Sequence, residues 1–502
     1  MRGVPGSHRS RTLAPEQIRR KPFDFPYMIL YERLADDVEQ MIRAGTLQPG
    51  DRLPSVRALR SRRAVSQATV LQAYALLEAR GVIQSRPRSG YFVAPTHRPA
   101  TVSSSAPPAP SGPPVSVDVS ELVFDLLDAT RERRALPFGS AFPSPLLFPL
   151  QTLATSLARA ARSLDPWATV ADLPPGSVAL RGEIARRYLL TGADVTADDI
   201  VVTNGAMEAL NLALQSVARP GAVVAIESPA FYGALQAIER LGLRAVEVRT
   251  DPVEGIDPDS LREVLDAHPV AACWFMSSFQ NPLGATVPDA RRPQIVELLA
   301  ARGVPLIEDD VYAELYFGAR APRPYKCFDR TGLVMHCGGF AKCLAPGWRV
   351  GWIAAGRQRR AVQKLKATSS LATNIPAQEG LADYLRRGSA EGHLRRLRRR
   401  LASQQEEMLS AIARHFPAGT RATRADGGYF TWVEMPPTVD ALELHRRAAA
   451  EGIGLSPGPM FSPSRAWRNC VRLNYGHPWD AELRAGIARL GALATELAER
   501  GG

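Results

Sequence analysis

The sequence has 502 residues, 45% hydrophobic and 22% charged, with a formal net charge of +12, which leaves room for two or three globular domains and a sizeable core. No run approaches 18 consecutive apolar residues, so no membrane-crossing helix is expected. The Arg-rich, Pro/Gly-punctuated first 22 residues lack the apolar core of a secretory signal and read as a disordered basic arm.

The charge is unevenly spread: residues 1–100 hold 17 Lys and Arg against 8 Asp and Glu, so a polyanion partner is expected for this end. The five cysteines (Cys273, Cys327, Cys337, Cys343, Cys470) form no C-x-x-C pair and have no histidine cluster nearby. That argues for reduced thiols in a cytoplasmic protein and against a metal site.

Between residues 23 and 95, Leu30, Leu34, Val38, Met41 and Ile42 recur at helical spacing and stop at Gly45. A turn at Pro49-Gly50-Asp51 leads to a short helix carrying Arg57, and Ser66 is placed to cap a third helix with Val70, Tyr74 and Leu77 inward. Two short strands, around Gly81–Ile83 and Gly90–Val93, flank a basic turn with Arg86 and Arg88. Three helices and a basic hairpin predict a winged helix-turn-helix, a mostly α domain that puts one helix in a major groove. The stretch from LQPGDRLPSVRALR to RPRSGYFVAP resembles the GntR family's DNA-binding domain. The resemblance implies that Arg57, Ser66, Gln67 and Thr69 face double-stranded DNA, with Arg86, Arg88 and Gly90 on the wing. Gln67 stands where many relatives have arginine.

Residues 96–130, including ATVSSSAPPAPSGPPVS, read as a Pro/Ser-rich linker.

From 131 to 502, continuous apolar runs at 200–202, 222–226, 271–276, 305–307, 333–337 and 350–355 alternate with amphipathic stretches. This predicts an α/β domain with a mostly parallel sheet covered on both faces. Ligands of such sheets collect beyond the strands' carboxyl ends, which here carry Asn204-Gly205, Ser228-Pro229, Asn281-Pro282, Asp309 and the loop to Lys342. Gly205 and Ala206, before a helix, can present amides to a phosphate. Phe231 can stack on a flat ring, and Asn281 can meet a ring oxygen. Asp309 is a buried acid that needs a cationic partner; Asp310, beside it, is expected to be exposed. Gly338-Gly339 and Pro346-Gly347 confine Lys342 to a tight loop, and Arg349 follows seven residues later.

The motifs GAMEAL, ESPAFYG, FQNPLG, EDDVY, FAKCLAPGWR and CVRLNYG resemble, in order, those of fold-type I aminotransferases, a fold with a smaller α+β C-terminal subdomain. The resemblance implies pyridoxal 5'-phosphate as cofactor, with Lys342 as the catalytic Schiff-base lysine, Asp309 against the pyridine nitrogen, and Tyr312 and Asn281 on the 3-oxygen. By the same resemblance Gly205, Ala206 and Arg349 would hold the phosphate, Phe231 would stack on the ring, and Arg472 would grip a substrate carboxylate. Gly339 stands where that family usually has a phosphate-binding hydroxyl. Together the two parts resemble the MocR subfamily of transcriptional regulators, in its YdcR-like branch. A head-to-tail homodimer, a small amino acid or amine effector, and partner residues around Thr373-Asn374 are then expected. The alternative is a working aminotransferase with an appended DNA-binding domain. The run Arg395, Arg396, Arg398, Arg399, Arg400 reads as a basic face of a helix whose leucines point inward.

Overall fold

The computed structural model describes residues 30–43, 46–48, 50–63, 65–79, 82–86, 89–93, 112–129, 135–171 and 173–500. The chain divides between Thr96 and His97 into two compact units.

The first unit is built of α1 (Leu30–Arg43), α2 (Val56–Arg63) and α3 (Gln67–Ala79), followed by the hairpin β1 (Ile83–Arg86) and β2 (Gly90–Val93). Leu34, Ala35 and Val38 of α1 and Val70, Ala73, Tyr74 and Leu77 of α3 share one buried core with Leu53, Leu59, Ile83 and Val93. The Ser66 hydroxyl accepts the Thr69 amide at 3.0 Å, which fixes where α3 begins. The Tyr74 hydroxyl donates to the Pro54 carbonyl at 2.6 Å and ties α3 to the turn before α2. Arg57, Ser66 and Gln67 are exposed or nearly so, and Thr69 is half-buried. Gly90 pairs with Arg86 across the hairpin at a φ of 101°, a left-handed conformation suited to glycine. The basic arm 1–22, Arg88 and the Arg86 side chain lie outside the described residues.

The second unit centres on a nine-stranded sheet. Its strands are β3 (Val115–Ser116), β4 (Ile200–Thr203), β5 (Val223–Ser228), β6 (Arg244–Asp251), β7 (Gly255–Ile256), β8 (Val270–Phe275), β9 (Leu306–Asp309), β10 (Val334–Gly339) and β11 (Gly351–Ala354). They lie in the order β3-β6-β5-β8-β9-β10-β11-β4, with β7 beside β6. The run from β6 through β10 is parallel, whereas β11 is antiparallel to both β10 and β4. The strands' continuous apolar runs are covered on both faces by separate cores. A smaller antiparallel sheet follows, β12 (Arg421–Ala422), β13 (Phe430–Glu434), β14 (Ser456–Pro457) and β15 (Cys470–Asn474), in the order β12-β13-β15-β14.

Two sequence expectations need correction. The second half of the expected linker is folded: β3 pairs with Arg244 and Ala245 at the sheet's edge, and a helix, α4 (Ser120–Ala129), follows. Glu239 accepts the Val119 amide, the Ser120 amide and the Ser120 hydroxyl, each at 2.9 Å. Val117, Val119, Val123 and Leu126 are buried, a spaced apolar set concealed by the neighbouring Pro/Ser composition.

Nor does the basic helix keep all its arginines in solvent. In the helix Ser389–His415, Arg398 falls on the same stripe as Leu394, Leu397 and Leu401 and is buried with them. Its guanidinium donates to the Glu314 carbonyl at 2.7 Å, pairs with Glu391 at 3.1 Å and lies over the Tyr316 ring. Arg395, Arg396, Arg399 and Arg400 are exposed.

Candidate active site

Beyond the carboxyl ends of β5, β8, β9 and β10 lies a cavity of about 240 Å³. Lys342, Asp309, Tyr312, Asn281, Arg349, Ala206 and Phe231 all line it. Residues as far apart in the chain as Ala206 and Arg349 converge because the carboxyl end of β4 and the amino end of the antiparallel β11 lie side by side.

β10 delivers Lys342. A Cβ on Gly338, near the end of that strand, would lie 2.3 Å from the ring of its cross-strand partner Trp352, so glycine is what fits there. The half-buried Lys342 amine donates to the Ala141 carbonyl at 2.9 Å and stands 3.7 Å from the centre of the Phe142 ring. Burial, reinforced by the Arg472 charge and partly offset by Asp309, lowers its pKa to about 7.

β9 ends at Asp309, which is buried, and whose Oδ1 has no hydrogen-bond partner among the described residues. Burial first, and the Asp310 charge second, raise its pKa to about 7, against the favourable field of Lys342. Asp310 is itself buried, not exposed as the sequence suggested, because its carboxylate meets His336 on the next strand at 3.1 Å. Tyr312 is buried with its hydroxyl pKa pushed up by burial. It packs edge-on against Tyr429, ring centres 5.5 Å apart.

The end of the cavity beside Ala206 and Arg349 is built largely from backbone. Gly205, at a φ of 81°, precedes α5 (Ala206–Val217), whose first-turn amides have no partners within the helix. The Arg349 guanidinium lies so close over Gly205 that a Cβ there would sit 2.7 Å from Nη2. A Cβ on Gly351 would approach the Ala206 nitrogen to 2.6 Å. Glu208 accepts the Asn204 amide at 2.6 Å and the Lys366 amine at 2.9 Å, which pins the turn. At Gly339, a Cβ would meet that of Ala206 at 3.3 Å, so two small residues face each other where a larger pair would crowd.

Arg472, on β15, is fully buried. It donates to Asn281 Oδ1 at 3.1 Å, the Gly139 carbonyl at 2.8 Å and the Ser456 hydroxyl at 3.0 Å, and lies 4.2 Å from the Phe430 ring centre. Its Nε has no partner among the described residues. Ala141, Phe142, Tyr232 and Gln236 also line the cavity. Sequence reasoning missed them: the segment Gly139–Phe142 lies between recognisable elements, and its contribution is chiefly through carbonyl groups, which no residue type signals.

A doubly covered sheet with a lysine, an unpaired acid and an arginine-topped amide turn at its carboxyl edge defines a pyridoxal-phosphate-dependent transferase body, and the first unit is a winged helix-turn-helix. Residues 155–490 match the family described as aminotransferase class I and II, and residues 30–93 match bacterial regulatory proteins, gntR family. The chain is 46% identical over 466 residues to the uncharacterised HTH-type transcriptional regulator YdcR of Escherichia coli strain K12, covering 93% of this chain and 99% of that one. It is 34% identical to YjiR, another uncharacterised HTH-type transcriptional regulator of the same strain, over 92% of this chain and 98% of that one. The solved structure of LysN, an α-aminoadipate aminotransferase from Thermus thermophilus complexed with N-(5'-phosphopyridoxyl)-L-leucine, has a TM-score of 0.69 and 30% identity over 75% of this chain and 95% of that one. The chain belongs to the MocR-like GntR regulators, in which a DNA-binding winged helix-turn-helix is fused to an aminotransferase class I and II domain.

Pyridoxal phosphate is the cofactor of this domain, and the residues present fit it. The unpartnered Asp309 oxygen suits a protonated ring nitrogen. The cradle at Gly205 and Gly351 brings backbone amides and Arg349 to a phosphate. Among the described residues, no helix is long and apolar enough to cross a membrane.

Proposed function

We propose that this protein regulates transcription from double-stranded DNA in response to a small amino acid or amine, or to the level of pyridoxal phosphate, held at Lys342. The observation that carries this reading is the convergence of Lys342, Asp309 and Arg349 on one cavity in a chain whose other unit is a GntR-type head. When bound, the cofactor supplies an aldehyde and an electron-withdrawing ring.

Lys342 presents an amine that is partly neutral near pH 7, and so nucleophilic. Asp309 faces the ring nitrogen, while Tyr312 and Asn281 orient the ring's 3-oxygen. Gly205, Ala206 and Arg349 hold the phosphate, and Phe231 covers the ring. Arg472 receives an effector carboxylate and exchanges carbonyl acceptors of the 139–140 segment for it. In the head, Arg57, Ser66, Gln67 and Thr69 face the groove, and Arg86, Arg88 and Gly90 the backbone.

The protein acts as a cytoplasmic, head-to-tail homodimer. Exposed Leu146, Trp167, Val170, Leu173 and Val178 offer apolar surface for a second copy. In its own chain Thr373 is buried and Asn374 caps the helix Ile375–Arg386.

The test is footprinting on DNA upstream of the coding region, with and without pyridoxal phosphate and amino acids, beside borohydride trapping at Lys342. A cofactor-dependent change in the footprint that Lys342→Ala abolishes supports the reading. Steady release of keto acid with an unchanged footprint makes the protein an aminotransferase instead.

A further inference from the structure

Outside the Lys342 cavity, the half-buried Trp352 and the buried Tyr188, His336 and Asp310 form a continuous hydrogen-bonded chain. Trp352 Nε1 donates to the Tyr188 hydroxyl at 2.9 Å. Tyr188 lies 2.6 Å from His336 Nδ1, and His336 Nε2 lies 3.1 Å from Asp310 Oδ2. Since the indole can only donate, the Tyr188 oxygen accepts from it and its hydrogen is free to go to Nδ1; a neutral His336 then donates through Nε2 to Asp310. The other Asp310 oxygen has no partner among the described residues, so His336 is what chiefly meets this carboxylate.

Asp309 and Asp310 are consecutive, and alternation along an extended chain sends their side chains to opposite faces. Asp310 continues the ladder beyond β9 by donating its amide to the Cys337 carbonyl at 3.0 Å. The relay therefore touches Asp309 through the strand without entering the cavity. We propose that Trp352, Tyr188, His336 and Asp310 are positioning residues that set the charge at Asp309, and through it the protonation of the ring nitrogen it faces. The proposal rests on Asp309 being the ring's partner.

The electrostatics point the same way. Burial is the largest cause of the raised Asp309 pKa, and the Asp310 charge is the next. Burial alone would depress the His336 imidazole, but its bond to Asp310 and the field of Glu308 outweigh that and raise its pKa. A proton taken up by His336 thus offsets the Asp310 charge felt at Asp309.

The other groups facing the relay are already engaged. Glu308 accepts from the Ser277 hydroxyl and the Tyr325 and Lys326 amides. Lys326 is held by Asp329, Arg187 pairs with Glu314, and burial keeps the Cys337 thiol protonated. These acids near His336 resemble metal ligands in type, but the donors on Glu308 leave it poorly placed to serve a cation.

The experiment uses full-length protein loaded with isotope-labelled pyridoxal phosphate and reads the ring-nitrogen NMR shift against pH. Asp310→Asn keeps the shape and an acceptor for His336 but removes the charge. Asp309 then ionises more readily and holds the ring proton more firmly, so the midpoint is expected about one pH unit above that of the wild type. His336→Gln removes the cation that offsets Asp310, so Asp309 ionises less readily, and the midpoint is expected to move downward. Opposite shifts support the relay; a common direction, or no shift in either variant, overturns it. If His336→Gln does not fold, Asp310→Asn decides alone, and an unmoved or lowered midpoint refutes the proposal. Failure of the wild type to be trapped at Lys342 would instead overturn the cofactor reading itself.

Discussion

Arg472 donates to Asn281 Oδ1 across 3.1 Å, although the two residues stand 191 positions apart. The bond joins the small antiparallel sheet to the loop after β8 of the large one, and it couples the residue assigned to an effector carboxylate to one assigned to the ring. Both side chains are held in place before any ligand arrives, and such preorganisation lowers the ordering cost of binding.

Arg472→Lys removes the planar fork while keeping charge. Asn281 Oδ1 and the Gly139 carbonyl lose a donor in a buried setting, so a stability loss of about 1–3 kcal/mol is expected. Effector affinity should fall far more than pyridoxal phosphate affinity. Denaturant melts and separate ligand titrations measure the two effects.

Lys342→Ala should abolish borohydride labelling by pyridoxal phosphate, as read by peptide mass spectrometry. Since the amine's pKa is lowered to about 7 from an ordinary 10.5, it is mainly protonated below neutral pH and mainly neutral above. The rate of cofactor loading in the wild type should therefore rise through about pH 7 and level off on the alkaline side. A rise that continues to the ordinary lysine range would contradict the lowered value.

Gly351→Ala would place a Cβ 2.6 Å from the Ala206 nitrogen and from the Gly205 carbonyl carbon. Backbone on both sides leaves no flexible group to yield, so the phosphate cradle must open. Equilibrium dialysis should show cofactor affinity falling by about tenfold or more, since about 1.4 kcal/mol of lost contact suffices.

Arg57→Ala should weaken DNA binding and lower the salt dependence of the affinity by about one power if the guanidinium meets a phosphate. Gln67→Ala should leave that slope unchanged and alter base preference. Fluorescence anisotropy over a range of salt concentrations separates them.

The head's helices and hairpin were legible because their signals are local: apolar spacing in α1 and α3, the Ser66 cap and the glycine of the wing. That Lys342, Asp309 and Arg349 lie near strand ends was legible too, from turn residues around Lys342 and Arg349 and from an acid closing an apolar run at Asp309. The folded segment 115–129 was not, because its pairing with β6 and Glu239 reaches across more than a hundred residues of chain. Asp310 read as exposed for the same reason, since a carboxylate is buried only where a distant partner such as His336 meets it.

Sequence by itself determined the order of elements, the division into a basic head and an α/β body, and the chemical kinds of residue at the strand ends. Periodicity, capping and turn preference act over a few positions and are written in the chain. Tertiary structure alone decided that Ala141 and Phe142 close over Lys342, that Arg472 is held by Asn281, and that Arg398 is buried. Those outcomes depend on which surfaces exclude water from one another, a property of the packed whole.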